Sequence, residues 1–543
     1  MRRRASRHRR SASGTLGGDR LNGGAGDTPR SQAGSSTTAF VIVVAAVALG
    51  LVARGVALVS SPQNSYLPDH VSFMGWSQYA FERGPWRIYD LPAGQPLIVR
   101  IRTPQGETVE RAVSNRHACN YPPLSAYVFW AQGAVWSAIE PRVLPVPAQF
   151  EGGAVSSRWT RVIDTPASRL ANAAPSIVLD FVLAWGVAAL VGALRPAPSA
   201  VRRALAFAVT LLAPPVILDS SFWNQADSWL AAGLVWSVAL LVQGRWTLAG
   251  AAYGAALMTK PQAVLLLPVL VYVALALRCA PHGTWSSAAA MLRFAAVAVL
   301  VVLLVAAPFM VNDAYAEDNP HGAWRWLQRS YIGTISSPLY ERTTLSAFNL
   351  WWIDLLAQGR PGPGGWEPLW DPRVIVAGLS KAAWGKLLLA AALLGAASLC
   401  AWRWRWSRTT WVALAAVTLL AAFALPTRVH ERYVYFCIPF LLAMAMLRRW
   451  WVVPAALMLV VGTFEMTSFR WAGLARLYEP DGVAWAGSLL LAVCTVVSLG
   501  LSLALLAAEK ASRHEETLTT DRRAVQAGGP VGGNDTPQPG SGK

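Results

Sequence analysis

The sequence predicts an all-α polytopic membrane protein, and three observations predict it. Of the 543 residues 54% are apolar and only 14% charged, whereas a soluble chain carries about a quarter charged residues. The apolar residues fall in runs long enough to cross a bilayer, which leaves helices as the spanning element. The formal net charge of +18 gathers at the termini and in short connections, the pattern of a cytoplasmic face rather than of a nucleic-acid surface.

Residues 1–37 are rich in Arg, Ser, Gly and Thr and predict a disordered tail. Six arginines lie among the first ten residues, so the tail should stay in the cytoplasm. The first apolar run, 38–60, is too long for a signal peptide and reads as an uncleaved span. Residues 61–172 then form a large first external loop. Within it, 122–139 is apolar but interrupted. Arg195, Arg202 and Arg203 follow the next run, 173–194, and belong inside, so 173–194 must run inward and 122–139 must be an interfacial or re-entrant helix. Further spans are expected near 204–218, 229–244, 247–262, 263–278 and 292–311. A second long external segment covers 312–378, and spans near 379–401, 409–426, 433–447, 450–467 and 484–508 complete about 12 crossings. The expected inner connections carry Arg245, Arg278, Arg403, Arg405, Arg408, Arg448 and Arg449. The membrane-embedded domain is thus 38–508, and 509–543 is a second disordered cytoplasmic tail.

Under this topology the unusual polar residues collect on the external side. Asp69 and His70 open the stretch Pro68–Asp90, which follows directly on the first span, where the chain leaves the bilayer. A carboxylate at that depth is costly unless it is paired or functional. Asp69 reads either as a catalytic base or as a helix N-cap. Asn120-Tyr121-Pro122-Pro123-Leu124 opens the interfacial helix, where proline suits a first turn in any case. Asp219, Asn224, Gln225 and Asp227 lie between spans, as do Lys260-Pro261-Gln262 and His430-Glu431-Arg432-Tyr433, while Asn349, Trp351 and Trp352 lie in the second external segment. Lys260 could simply snorkel. A cationic cluster facing a carboxylate suits a lipid phosphate held by Arg and Lys, with the carboxylate deprotonating a hydroxyl. Two charges, Arg54 and Asp180, fall inside spans, and Asp180 reads as a buried group paired with another span.

Five scattered cysteines without a C-x-x-C pair predict neither a disulfide framework nor a cysteine metal site. No P-loop, H-E-x-x-H or G-x-S-x-G pattern occurs, which argues against an ATP-driven pump, a zincin or a serine hydrolase. No cytoplasmic globular domain is present to take a nucleotide sugar, so a lipid-linked donor fits better. A transporter or flippase for a lipid-linked saccharide shares the polar external cleft. It also needs matched polar groups near the midplane. A scaffold without turnover leaves the one-sided collection of polar motifs unexplained.

Six motifs in order resemble the GT-C superfamily of integral-membrane glycosyltransferases. The likeness is greatest to the dolichyl-phosphate-glucose-dependent glucosyltransferases of asparagine-linked glycosylation and their bacterial relatives. Asp69-x-x-x-Phe73-x-x-Trp76 resembles the first-loop base and its aromatics, and Asn120 to Tyr127 resembles Asp-Tyr-Pro-Pro-Leu-Thr-Ala-Tyr. Phe222-Trp223-Asn224-Gln225 resembles the bacterial Trp-Gly-Gln-x-Asp. Lys260-Pro261-Gln262, Asn349-Leu350-Trp351 and His430-Glu431-Arg432 stand where the family has Lys-Gln-Met, Asn-Phe-Trp and His-Glu-Lys. Asn120 replaces an Asp, and the 222–225 stretch lacks the family's His. The resemblance implies inverting transfer of a hexose, glucose- or mannose-like, from a polyprenyl-phosphate sugar to a lipid-linked or cell-envelope acceptor, without metal or other cofactor. In it Asp69 is the base. His430, Arg432 and Lys260 hold the donor phosphate, and Tyr121, Gln225, Asp227, Glu431, Asn349 and Trp351 serve sugar or acceptor. An Ala-, Arg-, Gly- and Trp-rich composition points to a bacterial plasma membrane.

Overall fold

The computed structural model describes residues 30–508, apart from 65–66, 91–94, 103–107, 116–117, 143, 146–158, 196–198, 280–284, 317–318, 334–340, 363–364, 368, 373, 405–406 and 468–481. The tails expected at 1–37 and 509–543 therefore lie outside the described residues, except for 30–37. These are helical, because α1 runs from Arg30 to Asn64. Once the apolar run has nucleated a helix, adding a residue costs little, and Ser/Gly composition alone does not stop it.

Each expected span coincides with a helix. After α1 come α2 (Leu67–Arg83), α3 (Pro123–Ile139), α4 (Pro166–Ala193), α5 (Ala200–Leu211), α6 (Pro214–Ile217), α7 (Asp227–Val242) and α8 (Trp246–Leu257). Then follow α9 (Leu267–Cys279), α10 (Trp285–Ala314), α11 (Leu350–Gln358), α12 (Lys381–Leu399) and α13 (Arg408–Ala424). The chain closes with α14 (Ile438–Leu447), α15 (Val452–Thr467) and α16 (Gly482–Ala508). Among the described residues seven helices are long and apolar enough to cross a membrane, and eight if the bent pair 200–211 and 214–223 is one span. The other expected spans are short: α7 has 16 residues, α8 12, α13 17 and α14 10. α7, α13 and α14 are buried along almost their whole length in the centre of the core. Surrounded by protein rather than lipid, a helix need not match the bilayer thickness.

The first long connection is more structured than a loop. It carries α2 and α3, and a strand pair, β1 (Gln95–Arg102) and β2 (Thr108–Asn115), with Val162–Ile163 added parallel to β1. Helix α3 coincides with the helix expected at 122–139. Its first turn uses Pro122 as N-cap and Pro123 just inside, where a missing N–H costs nothing. α2 and α3 cross closely at Gly133, where a Cβ would come within 2.2 Å of the Ser77 carbonyl oxygen.

A buried polar ladder ties these helices to α4. Ser77 Oγ donates to Gln132 Oε1 at 3.1 Å, and Gln132 Nε2 donates to the Asn172 carbonyl at 2.8 Å. Asn172 Nδ2 meets His70 Nδ1 at 3.2 Å, and His70 Nε2 meets Ser168 Oγ at 3.3 Å. An amide NH2 can only donate, so Nδ1 accepts, and the neutral Nε2–H tautomer satisfies both ring nitrogens. Ser168 also closes the Thr165 capping box that starts α4. The residue before His70 is Asp69, so this ladder fixes the backbone that presents Asp69. Burial, with help from Arg169, pushes the His70 pKa well below the ordinary 6.5.

The two mid-span charges find each other. Arg54 of α1 donates to Asp180 Oδ2 of α4 from Nε at 3.1 Å and Nη2 at 2.8 Å. Its remaining donors reach the Gly50 and Leu211 carbonyls at 3.1 Å and 3.2 Å, and Tyr435 donates to Asp180 Oδ1 at 3.2 Å. Leu211 ends α5, so Arg54 covers a carbonyl freed where that helix breaks.

Two outcomes follow from these contacts. Replacing Asp180 by Leu leaves a buried guanidinium unpaired and should cost about 3–5 kcal/mol of stability. The double replacement Arg54→Leu with Asp180→Leu should recover part of it, read as thermal unfolding in detergent. His70 is neutral when folded but takes up a proton when unfolded below pH about 6.5, so its contribution is complete above that pH and declines as pH falls. The unfolding temperature should drop on acidification below 6.5 and drop less in His70→Gln.

Candidate active site

The site forms where three helices are interrupted at the same end of the bundle. After α6 the backbone widens into a π turn, Leu218–Trp223, which ends at Asn224 in the left-handed region with φ 61°. Asparagine tolerates that conformation, and the Gln225 N–H donates back to the Asp219 carbonyl at 2.8 Å. π turns inside helices concentrate at functional sites. Here the turn points Trp223 and Gln225 at α2. Trp223 Nε1 donates to Asp69 Oδ2 at 3.0 Å and Gln225 Nε2 to the same oxygen at 2.7 Å. Asp69 lies in the first turn of α2, where a carboxylate also suits the helix dipole. Among the described residues Oδ1 of Asp69 accepts no hydrogen bond, and the side chain keeps 28% of its surface exposed.

The second interruption, between α8 and α9, delivers Lys260 ahead of a 3₁₀ turn, Pro261–Leu266. Lys260 Nζ donates to Asp227 Oδ1 at 2.5 Å, with both side chains buried. The third interruption follows α13 and leads into a 3₁₀ turn, Glu431–Phe436. It brings Arg432 between two carboxylates, 3.6 Å from Asp69 Oδ2 and 3.8 Å from Asp227 Oδ2. Its guanidinium lies over the Trp223 ring at 5.7 Å, and Lys260 Nζ lies 5.4 Å from the Tyr121 ring centroid. Burial works against the Arg432 charge, but the Asp69 and Asp227 carboxylates outweigh it and raise its pKa well above the ordinary value. Burial raises the Tyr121 pKa as well, so that phenol stays protonated.

Of these groups Tyr121, Lys260 and Arg432 line an open cleft together with Asn120, Pro261, Gln262, His430 and Tyr433. His430 Nδ1 lies 3.5 Å from Glu431 Oε2, and Gln262 Nε2 donates to Tyr433 Oη at 2.6 Å. Tyr121 is brought here by α3: Leu124 N donates to the Met258 carbonyl at 2.9 Å and Ser125 Oγ to the Thr259 carbonyl at 2.7 Å.

Of the residues singled out in the sequence, Asp69, Tyr121, Gln225, Asp227, Lys260, His430, Glu431 and Arg432 come together. Asn349 and Trp351 do not join them. Asn349 caps α11 by accepting from the Trp351 N–H at 3.0 Å, and it donates to the Phe423 carbonyl at 3.2 Å. Trp351 Nε1 donates to the Leu425 carbonyl at 2.7 Å. Both serve the end of α13, just before the turn that carries His430. Trp223 was visible only as part of a motif; one tryptophan among 26 gives no sign that it bonds a carboxylate. Asp219 lies wholly buried near Asp227 and Lys260, with neither oxygen hydrogen-bonded among the described residues. Among the described residues no three His, Cys, Asp or Glu side chains converge as metal ligands.

Residues 113–319 match the sequence model of the ALG6, ALG8 glycosyltransferase family. No curated protein matches the chain. The crystal structure of ArnT from Cupriavidus metallidurans bound to undecaprenyl phosphate aligns at 16% identity with TM-score 0.41, covering 89% of this chain and 79% of that one. The oligosaccharyltransferase of Archaeoglobus fulgidus aligns at 14% identity with TM-score 0.36, covering 86% of this chain and 56% of that one. The family match spans Tyr121, the π turn, Asp227 and Lys260, the side chains that surround Asp69 and Arg432. Over those residues, less than half of the chain, the protein is similar to that glycosyltransferase family, and the match extends the likeness read in its motifs.

Proposed function

We propose that the protein transfers a hexose, glucose- or mannose-like, from a polyprenyl-phosphate sugar to a lipid-linked or envelope acceptor, with inversion at the anomeric carbon. One observation carries the reading: Asp69 is fixed through one oxygen by Trp223 and Gln225, 3.6 Å from Arg432, which lines a cleft together with His430. In the reaction the acceptor hydroxyl attacks the anomeric carbon from the face opposite the phosphate. The new C–O bond forms as the bond to the phosphate oxygen breaks, its electron pair leaves with the phosphate, and Asp69 takes the hydroxyl proton. Arg432 and His430 face the phosphate and stabilise the charge that develops on it. Gln225 and Trp223 orient the base, and Tyr121 and Glu431 border the space for sugar or acceptor.

Basic connections on the opposite side of the bundle support an external site with both termini in the cytoplasm, and the Ala-, Arg-, Gly- and Trp-rich composition supports a bacterial plasma membrane. A transporter would need free polar groups at the midplane, but Arg54 and Asp180 are spent on each other.

Membranes containing the protein, offered radiolabelled polyprenyl-phosphate glucose and mannose in parallel, test the reading. Wild type should move label to a new lipid, glycan or protein. Asp69→Asn keeps the shape and should lose about 10²-fold or more of the rate. Near-full activity in Asp69→Asn would remove Asp69 as the base.

A further inference from the structure

The six residues 425–430 between α13 and the Glu431–Phe436 turn have no helix to fix them, yet they set where His430 and Arg432 stand. Their anchor comes from the second long connection. Asp371, fully buried, accepts from Thr427 Oγ1 at 2.8 Å and from Arg428 Nε and Nη2 at 2.7 and 3.1 Å. Arg428 itself is in the left-handed region, φ 64°, a conformation that costs a non-glycine residue energy unless its surroundings enforce it. Its pKa is raised, first by the hydrogen bond to Asp371.

The backbone is held in parallel. Arg428 N donates to the Arg342 carbonyl at 3.2 Å and Leu345 N to the Val429 carbonyl at 3.0 Å, and Leu345 and Ser346 form isolated β-bridges with His430. Asp371 is fixed in turn: its N–H donates to the Glu341 carbonyl, and its carbonyl accepts from Ala382 N at the start of α12. α12 closes the far side, where a Cβ on Gly385 would lie 3.0 Å from Thr427 N and 3.1 Å from Pro426 Cα.

We propose that Asp371 and Arg428 form a latch that positions His430 and Arg432 for the donor phosphate, making Asp371 a positioning residue for donor binding. The proposal rests on the reading above that His430 and Arg432 hold that phosphate. A bidentate carboxylate–guanidinium pair fixes orientation as well as distance. Without it the turn keeps its sequence but loses the strap, and the phosphate-facing groups spread over several positions.

Binding of undecaprenyl phosphate to the full-length protein in detergent, together with donor and acceptor kinetics, tests this. Asp371→Asn removes the charge. Arg428→Gly removes the guanidinium while easing the left-handed backbone, at a position one-third exposed, so it carries the test should Asp371→Asn fail to fold. Each should weaken binding about tenfold. The double variant should lose no more than either single, as expected for one shared interaction. Donor KM should rise while kcat at saturating donor and acceptor KM stay near wild type. A merely destabilised protein would instead lose kcat through a smaller active fraction. Unchanged binding in both variants, with binding lost in Arg432→Gln, overturns the latch alone. Unchanged binding in Arg432→Gln as well overturns the phosphate reading and the latch with it.

Discussion

A guanidinium taken out of water needs anions, and the site is arranged around how Arg432 finds them. It stands between Asp69 and Asp227 at 3.6 and 3.8 Å, near enough for attraction and too far for a good hydrogen bond. Its Nε has no hydrogen-bond partner among the described residues. A fully bonded arginine would offer nothing to a ligand. One balanced between two carboxylates stays charged and stays in place. The Trp223 ring beneath it adds an attraction that uses no donor.

That balance depends on irregular backbone. The π turn at 218–223, the break at 258–260 and the non-helical 425–430 each end a helix at the same end of the bundle. In a membrane protein such segments are tolerated where protein or a polar cavity satisfies them. Below them Asp180 joins Arg54 and Tyr435, and Tyr435 lies on the 3₁₀ turn that carries Arg432. The buried pair therefore ties the base of that turn to α1 and α4, and Asp371 ties its entry to the second long connection. Arg432 is placed from both directions.

The apolar runs made nearly every helix readable, because a run that must hide its backbone in lipid has one solution. Helix length was less readable. α8 and α14 follow the same composition as true spans but are short, since the protein around α14 relieves the thickness requirement. The strand pair at 95–115 went unseen inside a connection read only by its polarity. Arg54 and Asp180 each stood out as costly, and a partner in another span was expected for Asp180. That the two meet is a fact of packing across 126 residues, which no local pattern encodes. Most of the candidate site was readable because its chemistry needs rare residue types at helix ends. Asn349 and Trp351 share that signature for a different reason: a capping asparagine and a bonded indole at a helix end look the same in sequence as ligand-binding groups.

Lys260 shows how geometry changes a role that residue type suggests. As a cation on the cleft it reads as a grip on phosphate. Its Nζ is instead 2.5 Å from Asp227 Oδ1, in a buried pair whose separation would leave two uncompensated charges. The consequence falls on Arg432. Were Asp227 not already satisfied by Lys260, its full charge would draw Arg432 into a close bidentate pair, away from Asp69 and the cleft. Lys260 answers one oxygen of Asp227 and leaves the other a weaker claim on the guanidinium. Lys260 also lines the cleft beside Arg432 and His430, so the same ammonium that holds Asp227 stands at the edge of the space proposed for the phosphate.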